Sequence, residues 1–275
     1  MFLDSSERGY VSVVVPTYNS AKSLHFCLAA IRRQKYPYME VLVVDNYSSD
    51  ETRSVAETFS ANVILHRGTQ AAARNVGCAH SKGSYVLFID SDQQLNDGVI
   101  ENCVRLCSKF AVDAVKIPEV FSGLNFWGKC SALWKNSAAK AGGLKGGIPR
   151  FYRKKVLPNQ LAFSDELRWW DDLELYQRLI SAGLRETWCS GQVIHYEADS
   201  LRNVVRKYFS YGYSITAFKR NHVKAPYAAT FRLTLSTMVQ MLKDPGRSFS
   251  VFSSCAFLVS VKSMSAAFGL LSRLR

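Results

Sequence analysis

Apolar and polar positions along the first 120 residues follow two alternating periods. Val11–Val15 is a short continuous apolar run stopped by Pro16, the pattern of a buried strand. Ala21–Gln34 carries Leu24, Leu28 and Ile31 at helical spacing, and Glu40–Val44 is a second strand run that ends at Asp45. Ser48-x-x-Glu51 has the spacing of a capping box and predicts the start of the next helix. Val63–Leu65, Tyr85–Ile89 and Ala114–Ile117 read as further strands, Ala71–His80 and Asp97–Phe110 as helices. Strands separated by helices imply parallel βαβ units, hence an α/β, Rossmann-like, mostly parallel sheet with helices on both faces. Residues 140–150, KAGGLKGGIPR, read as a glycine-rich mobile loop, after which Phe163–Leu184 returns to helical periodicity.

Near residue 200 the pattern changes. Leu201–Asn221 predicts a basic, tyrosine-rich helix, followed by two mixed apolar segments, Tyr227–Leu242 and Phe249–Leu271, on either side of Lys243-Asp-Pro-Gly-Arg247. The expected division is therefore an α/β domain over residues 1–200 and a C-terminal helical appendage over 201–275. Charge sharpens this division. The net charge is +13, yet residues 201–275 hold twelve Lys and Arg against the single acid Asp244, which places +11 of it in the appendage. Such asymmetry points to an anionic partner: membrane lipid, nucleic acid or a phosphorylated acceptor. With 48 % hydrophobic residues the chain can build a sizeable core. The seven cysteines include no CxxC pair, which argues against a disulfide scaffold or structural zinc and for a reducing compartment. MFLDSSERGY has no basic region followed by an apolar run, so no secretory signal is visible in it.

Ligands of open parallel sheets bind beyond the carboxyl ends of the strands. Three predicted ends carry distinctive residues: Pro16-Thr17-Tyr18-Asn19, Asp45, and Asp90-Ser91-Asp92. Neighbouring carboxylates repel unless a positive group joins them. A hard divalent cation bridging to phosphate, Mg²⁺ or Mn²⁺, suits such a set. If strand geometry persists past Ile89, Asp90 and Asp92 face the same side and can address one ligand. PTYNSAKSL stands where a dinucleotide binder carries GxGxxG, and no GxxxxGK[ST] occurs, which argues against a dehydrogenase or P-loop nucleotidase.

VSVVVPTYNSAKSL, EVLVVDNYSSDET, AAARNVG and GSYVLFIDSD, in this order, resemble the successive motifs of family 2 glycosyltransferases of the GT-A fold. GGLKGGIPRFYRKKVL and FSDELRWWDDLELYQRLISAG resemble that family's glycine-rich loop and the segment with its acidic catalytic pair. The resemblance implies a donor site in which Pro16, Tyr18 and Asn19, with Thr17 beside them, line the nucleotide-base pocket and Asp45 hydrogen-bonds the base. It places Asp90, with Ser91 next to it, at the ribose or the metal, Asp92 on the metal, and Arg74 near the donor phosphates. Asp172 would be the general base, with Asp171 in the place of the usual glutamate. His195 stands where many members have a histidine able to reach the metal or the phosphates; its other reading is a packed residue at a strand end. Asp50 reads as a helix cap rather than a ligand, and Trp169 and Trp170 as either a sugar platform or core.

Phe249–Leu271 is long enough to span a bilayer, but Lys262 near its middle and six serines favour a helix lying in the interface. The expected partners are a nucleotide-sugar donor, a lipid-linked or polysaccharide acceptor, and the cytoplasmic face of the membrane through residues 201–275, and not nucleic acid. Two alternatives stay open: transfer to polyprenyl phosphate itself, and a non-catalytic lipid- or nucleic-acid-binding protein on a degenerate transferase domain.

Overall fold

A computed structural model describes residues 9–140, 147–158, 162–167, 169–197, 200–221, 237 and 249–274. The chain opens with β1 (Val11–Thr17), α1 (Ala21–Arg32), β2 (Met39–Asp45), α2 (Thr52–Thr58), β3 (Asn62–Leu65), α3 (Gln70–His80) and β4 (Tyr85–Phe88). There follow β5 (Gln93–Leu95), α4 (Val99–Phe110), β6 (Ala114–Lys116), β7 (Glu119–Ser122) and α5 (Phe126–Lys140). Next come β8 (Phe151–Arg153), a 3-10 turn at Lys154–Val156, α6 (Asp171–Ser181), β9 (Glu186–Trp188) and β10 (Val193–Tyr196). Two long helices, α7 (Leu201–Asn221) and α8 (Phe249–Leu274), end the order.

Seven strands form the main sheet in the order β3-β2-β1-β4-β8-β6-β9, and β5, β10 and β7 form a smaller one. β3, β2, β1 and β4 are mutually parallel; β8 runs antiparallel to both β4 and β6; β9 is parallel to β6. All strands of the main sheet but β8 therefore point one way, and their carboxyl ends share an edge with the start of β8. That edge carries the chemistry described below.

The continuous apolar runs are those of strands covered on both faces. Val11, Val13, Val15 and Val43 pack with α1 and α4, whereas Val14, Leu42, Val44, Val86 and Phe88 pack with α3 and α6. Each fully buried Val or Leu contributes ~1.5–3 kcal/mol relative to its exposed state. α3 lies unusually close to β1, because a Cβ at Gly77 would come within 2.2 Å of Val14 Cγ1. This close docking, aided by the small Ala71 and Ala73, carries the side chains of α3 to the carboxyl edge.

Four local expectations change. β1 continues through Pro16 to Thr17. The side of β1 that a Pro16 N–H would address lies past the end of β4, whose last partner is Val14, so no ladder bond is lost. The capping box does not form: Ser48 is consumed by Asp45, and Asp50 instead accepts from the backbone N–H groups of Thr52 and Ala21, capping two helices as expected of it. Helix α6 starts at Asp171 rather than Phe163, with Trp170 in a left-handed conformation at φ 72° marking its start. Asp90 and Asp92 lie on a turn closed by Gln93 N–H donating to the Asp90 carbonyl, so strand alternation does not govern them. Tyr227–Leu242, apart from Thr237, and most of the glycine-rich loop lie outside the described residues.

The chain divides into two compact units, Met1–Glu119 with Gly147–Ile194, and Val120–Gly146 with His195–Arg275. This differs from a single boundary at residue 200, since the α5 segment joins the C-terminal helices. Within the second unit, Glu197 is buried and accepts from Ser131 Oγ (2.6 Å) and Lys135 Nζ (2.5 Å), and Lys262 Nζ donates to Ser131 Oγ (2.7 Å). Burial opposes the Glu197 charge, but Lys135 and Lys207 outweigh it and hold the carboxyl down at about 2. α7 and α8 meet backbone to backbone: a Cβ on Gly269 would come 1.9 Å from the Phe209 carbonyl oxygen.

Candidate active site

The ends of β1 and β2 form one wall. Asp45 is fully buried; its Oδ1 accepts from Thr17 Oγ1 (3.2 Å) and Ser48 Oγ (2.5 Å), and its Oδ2 from Ser48 N–H (2.9 Å). Ser48 Oγ in turn accepts from Asn19 N–H, and Asn19 Oδ1 accepts from Ser49 N–H. Asn19 and Tyr47 both adopt left-handed backbone, at φ 47° and 53°, which non-glycine residues rarely do outside tightly specified loops. Asp45 was expected to meet a ligand directly. It meets no solvent and instead clamps the two loops together. What these loops present outward is Tyr18, 61 % exposed, and Tyr47, half exposed with the Arg67 guanidinium 4.7 Å above its ring. Pro16 and Thr17 lie beneath them within β1.

The next strand end gathers charge. Asp90 Oδ1 accepts from Gln70 Nε2 (2.7 Å) and Arg74 (2.8 Å), and its Oδ2 lies 3.6 Å from Arg150. Arg74, nearly buried, bridges onward to Asp171 Oδ2 at 2.6 Å, while its Nε finds no partner among the described residues. Arg150 also pairs with Glu119 at 3.2 Å, and Glu119 accepts from Gln93, whose Oε1 accepts the Asp90 N–H. Burial disfavours the Arg74 charge, but Asp171, Asp90 and Asp172 outweigh it and hold its pKa above the usual value. Burial pushes Asp171 up to about 6; Arg74 opposes this and Asp172 adds to it. Asp171 and Asp172 occupy the first turn of α6, where the positive end of the helix dipole favours carboxylates. Asp172 is half-buried, as are Ser91, Asp92, Trp169 and Trp170.

The structure thus joins Asp90, Arg74 and Asp171, residues spread over almost 100 positions, in one network. The expected metal ligands Asp90 and Asp92 lie on one turn of the first unit, and His195 belongs to the second. Among the described residues, no three His, Cys, Asp or Glu side chains are grouped to hold a metal by themselves. Asp90 Oδ1 is already shared by two donors, and the His195 ring lies 5.3 Å from that of Phe121. A two-carboxylate site still fits Mg²⁺ or Mn²⁺, because such ions are commonly held by one or two carboxylates and complete their shell with substrate phosphate and water. Gln70, Gln93, Glu119 and Arg150 were not anticipated. Gln70 had a legible signal, lying four residues before Arg74 and so on the same helix face; Arg150 had none beyond its place at the end of the glycine-rich loop.

The sequence profile of glycosyl transferase family 2 matches residues 12–164, more than half of the chain. The chain belongs to this family. Within glycosyl transferase family 2, the chain is similar to glycosyltransferase AglE of Haloferax volcanii, with 37 % identity over 120 residues covering 40 % of each protein. It is also similar to the poly(ribitol-phosphate) beta-N-acetylglucosaminyltransferase TarS of Staphylococcus aureus, with 29 % identity over 173 residues, 57 % of this chain and 30 % of that one. The chain matches less than half the length of these curated relatives. Among solved structures, the mannosyltransferase PcManGT from Pyrobaculum calidifontis, in complex with GDP-Man and Mn²⁺, superposes with a TM-score of 0.60 at 18 % identity over 97 % of this chain and 87 % of that one. S. aureus TarS superposes with a TM-score of 0.55 at 17 % identity, covering 96 % and 55 %. At these identities the superpositions establish the fold, the expected GT-A type.

Proposed function

We propose that this family 2 member transfers a sugar, with inversion, from a nucleoside-diphosphate donor to a hydroxyl of a lipid-linked glycan at the cytoplasmic face of the membrane. The observation that carries the reading is the carboxyl edge itself. Two guanidinium groups, Arg74 and Arg150, converge on Asp90 beside the first turn of α6, where Asp172 stands half-buried. The donor base lies over the Tyr18–Asn19 and Tyr47 loops clamped by Asp45. Arg74 and Arg150 supply positive charge for the diphosphate. Asp90 and Asp92 would hold Mg²⁺ or Mn²⁺, which when bound supplies Lewis-acid stabilisation of the departing diphosphate. Asp172 takes the proton of the acceptor hydroxyl as its oxygen attacks the anomeric carbon. The bond from that carbon to the diphosphate breaks, and its electron pair leaves with the nucleoside diphosphate. PcManGT, whose structure holds GDP-Man and Mn²⁺, supports a nucleotide-sugar donor and a divalent ion.

Membrane docking is proposed for the second unit. Ser253–Ser272 is long and apolar enough to cross a membrane by length and composition. Lys262, however, is turned inward to Ser131 and lies 5.0 Å from the Tyr208 ring centre, while Phe257, Met264, Phe268 and Leu271 are exposed. An apolar outer face on a basic helical unit supports a position in the interface. The deciding test is thermal stabilisation by UDP-, GDP- and dTDP-sugars with and without Mn²⁺. One donor should raise the melting temperature in a metal-dependent way; no response to any of them would end the transferase reading. Flotation with phosphatidylglycerol vesicles tests docking, with binding expected to weaken in salt and in Phe268→Glu.

A further inference from the structure

The carboxyl edge continues past β8 to the last residues of β6 and β9, Lys116 and Trp188, which are register partners. Lys116 is buried, and its Nζ donates to Glu186 Oε1 (2.5 Å) and to the Tyr176 hydroxyl (2.9 Å). The same Nζ lies 5.0 Å from the centre of the Tyr176 ring and 5.6 Å from that of Trp188. The Tyr176 hydroxyl donates to Glu186 Oε1 at 3.0 Å. Burial works against the Lys116 charge, but Glu186 and then Tyr176 outweigh it and hold its pKa above the usual lysine value. One permanent ammonium therefore fixes two rings and a carboxylate.

That construction leaves something over. Trp188 keeps 47 % of its surface exposed. Glu186 Oε2 is buried and has no hydrogen-bond partner among the described residues, a state native structures rarely leave uncompensated. Gly147 lies against the indole edge, where a Cβ would make an ordinary contact of 3.4 Å with Trp188 Cη2, so this residue sets only backbone beside the ring. Tyr176 is four residues after Asp172 on α6 and therefore on the same helix face, with Cβ atoms ~5–6 Å apart.

An exposed indole whose Lys116 neighbour also holds a carboxylate with one unpaired oxygen is suited to a pyranose. The C–H face of the sugar stacks on the ring, and its hydroxyls donate to the carboxylate. We propose that Trp188, Glu186 and Tyr176 form a subsite for a neutral pyranosyl unit of the acceptor, with Lys116 as its positioning residue. The Glu186 charge turns away an anionic unit, since Lys116 is already committed to Oε1. The proposal rests on the transferase reading above, in which Asp172 is the base one helical turn away.

Fluorotryptophan labelling of the full chain tests it. Of five tryptophan lines, that of Trp188 is assigned by its loss in Trp188→Phe. Methyl glycosides of glucose, N-acetylglucosamine, mannose and galactose are then titrated in turn. At least one should shift the Trp188 line saturably, and Tyr176→Phe should weaken that binding roughly tenfold while leaving nucleotide-induced thermal stabilisation unchanged. A protein that nucleotide stabilises but whose Trp188 line no glycoside moves overturns the subsite alone. So does a shift that is undiminished in both Tyr176→Phe and Glu186→Gln. Failure of nucleotide and glycoside alike removes the transferase reading and the subsite with it.

Discussion

On one side of β8 the main sheet consists of four parallel strands, β3, β2, β1 and β4, whose ends carry hydroxyls and carboxylates: Thr17, Asp45, Asp90. On the other side stand β6 and β9, three residues each, ending in a lysine and a tryptophan. The first half handles charge with charge, pairing Asp90 and Asp171 with Arg74. The second half spends its one ammonium on holding aromatic rings and a carboxylate in place. The contrast matches the two ligands proposed for the edge: an anionic diphosphate on the parallel side, and a neutral sugar beyond β8.

If this division of labour is right, substitutions on each side should fail differently. The largest effect is expected at the junction. Asp172→Asn should lower kcat by ~10²–10⁴ with donor binding intact, since only the proton transfer is lost. A phosphate acceptor would need no base, so activity surviving in this variant would move the reaction to that acceptor class. Arg74→Met should strand two carboxylates, one of them buried, and cost ~3–5 kcal/mol in urea unfolding. A loss of that size for Arg150→Met as well would show the edge to be a structural clamp throughout. Asp45→Ala should leave the two Ser48 donors unpaired, at ~1–3 kcal/mol, and weaken nucleotide binding without touching the acceptor KM.

The smallest effect is one of pH. Asp171 is raised from 3.8 to about 6 in the folded state. Its stabilising contribution is therefore fully present below about pH 4 and lost as pH rises through about 6. Asp171→Asn should flatten the stability profile across that window, as read from urea midpoints at successive pH values. An unchanged profile would mean that Arg74 fully offsets the burial of Asp171.

The parallel half was legible because its signals are local. Val11–Val15, Glu40–Val44 and Tyr85–Ile89 are apolar runs dense enough to be strands wherever they fall, and topology then brings their ends to one edge. Asp45, Asp90 and Arg74 could be named from this and from motif resemblance. Of the other half only β6 was legible, as Ala114–Ile117; β8 and β9 are three residues long and are paired across distant stretches of chain. Nothing local marks Phe151–Arg153 as the strand that reverses the sheet. The turn at Asp90–Gln93 and the loss of Ser48 to Asp45 have another cause: in each, a hydrogen bond between residues three apart overrode the expected strand or capping pattern.

The amino-acid sequence alone determined the family, the parallel βαβ core and the identity of most acids at its edge, since burial periodicity and strand-end residues are properties of short segments. Only the tertiary structure decided what each acid touches: Asp45 turned inward as a clamp, Asp90 and Asp171 joined through Arg74, and Lys116 caged between Tyr176 and Trp188. Those outcomes depend on which side chains arrive from far along the chain to satisfy a buried charge, and long-range pairing of that kind leaves no trace in local spacing.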